Sequence, residues 1–254
     1  MNPDFNILNQ FYDKIYVLSL PRLQNRVDYI NKTLEGLNFE FFWGIDRDTT
    51  SIEQLKKESR YCPESYQQFY KKPLEMHIGM LCCSLGHLQI YEHIVANNIG
   101  KTLILEDDAI PQLANFSFFQ KMIDELPADW ELLYLGYEKN ESNGNKSKLK
   151  KKYYQLMNNH AQLKLSREMY DNFYPQAIGK YLSVAGFHDC THAYSISLEG
   201  AKKLISHQTP VSFNADNLLS YLVITKKIKG FIGKPKLFNQ ITAFNDSASS
   251  LTSN

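Results

Sequence analysis

Apolar and polar positions along the chain alternate between two periods, and the alternation predicts strands separated by helices. Residues 14–20 (KIYVLSL) form a β-branched and aromatic run stopped by Pro21. The polar-faced stretch 22–37 that follows carries Val27, Ile30 and Leu34 at helical spacing. A second strand is expected over 39–43, ended by Gly44, then an acidic turn at Asp46-Arg47-Asp48 and a polar helix over 51–60, while 61–73 reads as irregular. Across 77–98, Leu81, Leu85, Leu88, Ile94 and Val95 recur at helical spacing, and Asn97-Asn98-Ile99-Gly100 supplies the stop. Residues 102–105 (TLIL) are apolar without alternation, as in a strand buried on both faces, and they run straight into Glu106-Asp107-Asp108.

Further on, 116–126 reads as a helix and 131–135 as a strand. A polar, lysine-rich segment over about 137–159 is expected to be an insertion loop. Residues 191–197 read as a strand, 198–207 and 215–225 as helices, and 228–232 as a last strand before a polar tail. Strands alternating with helices predict an α/β fold, a mainly parallel sheet flanked by helices in one domain spanning 1–254. Ligand sites in such sheets lie at the carboxyl ends of strands, where residues 106–108 fall.

Composition narrows the ligand. The chain has 254 residues with 28 Lys+Arg against 27 Asp+Glu, so no global field steers it onto nucleic acid, and an anionic ligand needs a local site. Four cysteines without a C-x-x-C pair read as reduced thiols. The first twenty residues lack the order of a secretory signal, and no apolar run is long enough to span a bilayer. The expected location is the cytoplasm; the lysine run reads first as a solvated loop, and its functional reading is contact with an anionic membrane surface, peripheral on the inner face, or with a phosphorylated acceptor glycolipid.

Side chains alternate in an extended segment, so Glu106 and Asp108 are expected on one side and Asp107 on the other. Two converging carboxylates raise one pKa or recruit a hard divalent cation, Mn²⁺ or Mg²⁺ rather than zinc. Such an ion stabilises a departing diphosphate, which points to transfer from an activated phosphate donor. A solvated acidic turn is the other reading.

At this point the residues resemble glycosyltransferase family 25. Residues 15–22 (IYVLSLPR) with Arg26 are similar to the family's first strand and its D-R-x-x-x-R, and 39–46 to its second strand and A-x-D turn. Residues 79–88 (GMLCCSLGHL) resemble its G-E-I-G-C-A-L-S-H-L helix, keeping Cys83 and His87, and 103–108 its L-I-L-E-D-D. Residues 191–197 with Gly200-Ala201 resemble its G-T-x-x-Y-x-I-S-x-x-G-A, and Asp216 falls on its P-x-D. The chain departs from the pattern at Ser19 (family Asn), Met80 (Glu), Cys82 (Gly) and Gly86 (Ser).

The resemblance implies a Rossmann-like GT-A transferase that is inverting and uses Mn²⁺ (or Mg²⁺). It implies transfer of a hexose, galactose foremost, from a UDP-sugar donor to a glycan or glycolipid acceptor such as lipooligosaccharide. Asp108 would then bind the metal, Glu106 the metal shell or donor ribose, and His192, with His188 competing, would complete the shell. Arg26 is placed for the donor diphosphate, with a solvated helix face as its other reading. Ser19, Asp46, His87 and Asp107 fall in the donor-binding set, with structural duty the alternative for His87 and loop fixing for Asp107. Asp216 and Asp189 are the acids available as base, an N-cap being the other reading of Asp216. A non-catalytic glycan or nucleotide-sugar binding module on the same fold is the alternative to an enzyme.

Overall fold

Residues 101–106 show why this chain layers as it does. In the computed structural model, which describes residues 5–72, 75–157 and 163–241, strand β3 (Lys101–Glu106) buries its four central residues. Leu103 and Leu105 enter one hydrophobic core and Ile104 the other. The same split holds in β1 (Lys14–Ser19), where Ile15 and Val17 oppose Tyr16 and Leu18. In β5 (Leu132–Glu138), Leu133 and Leu135 oppose Leu132 and Tyr134. Apolar residues on both pleat faces require cover on both sides, and fully burying each such side chain stabilises the fold by roughly 1.5–3 kcal/mol.

The cover comes from helices. On one side lie α3 (Ile52–Lys57), α4 (Pro63–Phe69), α5 (Ile78–Ala96), α8 (Leu198–Gln208) and α9 (Ala215–Ile224). On the other lie α1 (Asn6–Phe11), α2 (Gln24–Thr33) and α6 (Phe119–Glu125). A further helix, α7 (Asn145–Met157), packs Tyr154 against the first of these cores. The remaining strands are β2 (Glu40–Trp43), β4 (Ala109–Pro111), β6 (Gln176–Ala177), β7 (Leu182–Val184), β8 (Asp189–Ser197), β9 (Gly230–Gly233) and β10 (Phe238–Gln240).

Eight strands form the main sheet in the order β2-β1-β3-β8-β5-β9-β7-β6. β1 pairs in parallel with both β2 and β3, and β5 with β9, while β8 runs antiparallel between β3 and β5 and β7 antiparallel between β9 and β6. Following the pairings, only β8 and β7 of the eight are reversed, so the α/β fold with its mainly parallel sheet is as expected. The reversal of β8 matters for chemistry: it brings the amino end of that strand, residues 189–192, to the sheet edge where β1, β2, β3 and β5 deliver their carboxyl ends.

Several boundaries differ from the pattern-based reading. Residues 63–69, read as irregular, form α4 because Pro63 at its start presets a helical φ and needs no N–H partner; Pro73 lies outside the described residues. The helix expected over 116–126 begins as a 3₁₀ turn at 113–118 before α6. The segment expected as a loop over 137–159 opens with the end of β5 and holds α7, and its residues 158–159 lie outside the described set. β10 falls in what reads as polar tail; it pairs antiparallel with β4 as a two-stranded ribbon. Among the described residues no helix is long and apolar enough to cross a membrane.

Candidate active site

The site grows from the end of β3, where alternation gives way to a turn at Asp107-Asp108. The three carboxylates take three sets of partners. Glu106 Oε1 accepts from His87 Nε2 at 3.1 Å and from the Thr191 hydroxyl. His87 is buried on α5, its Nδ1 2.8 Å from the Tyr194 hydroxyl, which lies 2.7 Å from the Tyr91 hydroxyl. Burial alone would raise the Glu106 pKa, but the hydrogen bond and charge of His87 and the Thr191 hydroxyl bring it below the ordinary carboxylate value.

Asp107 turns the other way, as alternation predicts. It accepts from Ser19 Oγ at 2.7 Å and pairs with Arg26 Nη1 at 2.5 Å, and all three side chains are buried. Burial raises its pKa, with Arg26 and Ser19 opposing the rise. The Arg26 guanidinium is thus committed to a carboxylate of the chain itself, and the reading of a solvated helix-face arginine is wrong, because α2 packs this residue against the turn after β3.

Asp108 accepts from Gln240 Nε2 at 2.9 Å, while its backbone carbonyl accepts from the Ile241 N–H. The β4–β10 ribbon therefore holds this loop. Asp108 Oδ1 is buried with no hydrogen-bond partner. Burial and the Glu106 charge push the Asp108 carboxyl up to about 7. Two neighbouring carboxylates with pKa values driven in opposite directions are a signature of a functional site.

A cavity of about 360 Å³ opens beside this turn. Glu106, Thr191 and Gln240 line it from the sheet edge, Met80 and Cys83 from α5, and Asp216 and Asn217 from α9. Asp189 and Lys139 face each other across an ion pair on its wall. Asp216 follows Asn214, the N-cap residue of α9, so it is not itself the N-cap; its Oδ1 accepts from the Asn217 N–H at 2.7 Å. Burial, with the Asp189 charge, raises its carboxyl to about 6. The structure thus brings Glu106, Asp189 and Asp216 together around one space.

The other expected residues lie apart from that lining. Asp46 accepts from Arg22 Nε at 2.6 Å and from the Asp48 N–H at 3.0 Å. Its burial is outweighed by Arg22, which leaves its pKa lowered. His188 is buried, Nδ1 3.1 Å from the Lys139 carbonyl, and burial lowers it to about 4. His192 is fully buried beside Gly136, its Nε2 donating to the Phe238 carbonyl at 3.4 Å and its Nδ1 without a partner.

Among the described residues, the group of three His, Cys, Asp or Glu ligand atoms gathered within 4.8 Å is Cys83, His87 and Glu106, not the expected Asp108, Glu106 and His192. Glu106 and Asp108 share one stretch of backbone and His192 comes from β8, but the turn after Glu106 parts Asp108 from the strand. Two of that trio nevertheless hold an orphaned lone-pair atom, Asp108 Oδ1 and His192 Nδ1. Orphaned acceptors beside ionised Glu106 fit a hard divalent cation in chemistry.

Sequence reasoning missed Lys139, Asn214, Asn217 and Gln240. Lys139 and Asn140, both at positive φ, follow the end of β5, and Cys190, also at positive φ, opens β8. The position of Lys139 just past a strand's carboxyl end was the available signal; Gln240 reaches Asp108 only through pairing across 132 residues of chain.

Comparison with known proteins adds to this geometry. Residues 12–219 match the model of glycosyltransferase family 25 (LPS biosynthesis protein). A glycosyltransferase 25 family member of Aedes aegypti is 26% identical over 76% of this chain and 28% of its own. Procollagen galactosyltransferase 2 of Mus musculus is 23% identical over 89% of this chain and 35% of its own. A Rattus norvegicus relative, 25% identical over 78% of this chain and 30% of its own, is named a probable inactive glycosyltransferase 25 family member 3. The chain thus spans about a third or less of the length of these relatives. Among solved structures, a glycosyltransferase involved in glycosylation of the PBCV-1 major capsid matches over 91% of this chain and 92% of its own, at a TM-score of 0.45 and 12% identity. A match to the family model over most of the chain, including the E-D-D strand and the β8 segment that together wall the cavity, makes this chain a member of glycosyltransferase family 25.

Proposed function

We propose that the chain transfers a hexose, galactose foremost, from a UDP-sugar to a hydroxyl of a glycan or glycolipid acceptor such as lipooligosaccharide, with inversion. One observation carries the reading: in a family 25 chain, a cavity of about 360 Å³ is lined by Glu106 of the E-D-D segment together with Asp189 and Asp216. The procollagen galactosyltransferases among its relatives support galactose as the first donor to test.

When bound, Mn²⁺ or Mg²⁺ supplies Lewis-acid charge to the departing diphosphate, and Asp108, Glu106 and His192 are the residues to hold it. The other roles belong to the chain's own groups. Asp216, raised to about 6, is ionised at neutral pH yet basic enough to take the proton from the acceptor hydroxyl. Asp189 is engaged by Lys139, which leaves it to orient the Lys139 ammonium toward diphosphate oxygens. His87 and Thr191 keep Glu106 charged. Arg26 and Ser19 hold Asp107, and through it the turn that presents Asp108.

Thermal unfolding with UDP, GDP and CMP, each with and without Mn²⁺, tests the donor assignment, since a ligand of the native state raises stability by mass action. Stabilisation by UDP that requires Mn²⁺ is expected, followed by UDP release from UDP-galactose with a sugar acceptor. No shift with any nucleotide in the presence of metal sinks the reading and leaves the non-catalytic module.

A further inference from the structure

Helix α7 leaves the body of the protein between two residues that both line the cavity, Lys139 before it and Leu163 after it. Its sequence, NKSKLKKKYYQLM, contains five lysines and no acid. One side docks: Lys151 pairs with Asp171 at 2.9 Å, Gln155 Nε2 donates to the same carboxylate at 3.1 Å, and the Tyr154 ring lies 5.8 Å from that of Phe173.

The opposite side is apolar and uncovered. Leu149 is 70% exposed, Tyr153 53% and Leu156 83%. At 3.6 residues per turn these three fall on one stripe, with Lys146 and Lys150 along one edge and Lys148 and Lys152 along the other. All four of these lysines are exposed, and none forms an ion pair among the described residues. Exposing two leucines to water is unfavourable, and a soluble helix rarely lines up such residues between two rows of unneutralised cations.

We propose that this face of α7 is a membrane-docking surface whose occupant is an anionic phospholipid bilayer. Leu149 and Leu156 insert at the headgroup boundary, Tyr153 sits at the interface with its ring in the apolar zone, and the flanking lysines extend along the helix to meet lipid phosphates. Charge complementarity selects the occupant: four cations without acids match an anionic sheet. Because the cavity-lining residues Lys139 and Leu163 flank α7 in the chain, docking sets the cavity beside the bilayer and assigns the acceptor to a membrane-anchored glycolipid. That last consequence rests on the transferase reading; the docking does not.

Co-sedimentation of the full chain with phosphatidylcholine vesicles, with and without phosphatidylglycerol and at low and high salt, tests the docking. Binding to the anionic vesicles that weakens with salt is expected. Lys146→Glu/Lys148→Glu/Lys152→Glu should lower partition by about a hundredfold or more, at roughly fivefold for each lysine lost. Leu149→Ser/Leu156→Ser should lose at least about tenfold, for the buried apolar carbons removed. Both variants change exposed positions, so unaltered thermal unfolding and unaltered stabilisation by UDP with Mn²⁺ in vesicle-free buffer are expected; a lost nucleotide shift in the wild type would strike the transferase reading alone. Equal binding by wild type and variants, equal binding to neutral vesicles, or no binding at low salt overturns the proposal. A wild-type dimer that Leu149→Ser/Leu156→Ser splits, without vesicle binding, overturns it in favour of self-association.

Discussion

Replacing Asp108 with Asn removes one negative charge beside Glu106 while keeping shape and the Gln240 hydrogen bond, which the amide oxygen can accept. In the folded chain burial and the Glu106 charge hold the Asp108 carboxyl at about 7, against an ordinary value of 3.8. The folded state therefore binds the proton more tightly than the unfolded one. By linkage, its stability falls as pH climbs from about 4 to about 7 and stays reduced above that. At ~1.4 kcal/mol per tenfold change in proton affinity the full penalty is about 4 kcal/mol, and because Glu106 shares it, removing the charge should return about 2–4 kcal/mol at pH 8. For a chain of this size that is a rise of roughly 5–12 °C in unfolding temperature. Scanning calorimetry of wild type and Asp108→Asn without nucleotide or metal, at pH 4.5 and pH 8, reads the difference directly. The gain should be large at pH 8 and small at pH 4.5, and the variant should lose the Mn²⁺-dependent stabilisation by UDP. A gain of equal size at both pH values, or none at pH 8, would refute the account of Asp108 as a strained carboxylate held for a cation.

Arg26→Met leaves Asp107, only 1% exposed, without its cation, and urea unfolding should show a loss of about 3–5 kcal/mol. Arg26→Met/Asp107→Asn should recover most of that loss, because the amide keeps the Ser19 partner; a double variant no better than the single one argues against the pair. Gly136→Ala puts a methyl 2.2 Å from His192 Nε2 and 2.8 Å from the Phe238 carbonyl oxygen, so thermal unfolding should fall by the equivalent of about 1–3 kcal/mol, and unchanged stability would contradict the close packing of β5 on β8 and β10. Under the transferase reading, Asp216→Asn should cost about 10²–10⁴ in kcat with a much smaller change in KM. Wild-type kcat should rise with pH through about 6, because the base must be ionised to accept a proton, and a flat profile across that range would remove Asp216 from the role.

Much of the architecture is visible in local pattern. β-branched and apolar runs at 14–20 and 102–105, the helical spacing of Leu81, Leu85 and Leu88, and the stop at 97–100 place β1, β3 and α5 within a residue or two, because burial on both faces of a sheet or along one helix stripe acts locally on the choice of residue. The same pattern puts Glu106 at a strand's end and separates Asp107 from it. What pattern leaves open is whatever depends on distant chain. The partner of Arg26 is 81 residues away and that of Asp108 is 132 away. The short strands β4, β6, β7 and β10 carry too few residues for any periodicity, and they exist because a neighbour supplies their hydrogen bonds.

The sequence by itself determined the layered α/β class, the acidic turn at the end of a buried strand and, through its motifs in order, the family. Tertiary structure decided which carboxylate is paired, which is strained and which faces the cavity. Reversing β8 brings Thr191 and Asp189 to the edge where β3 ends, and the fates of Glu106, Asp107 and Asp108 are set by contacts from β8 and α5, from α2 and β1, and from β10. Burial and charge add up over all neighbours in space, and the linear chain does not contain that sum.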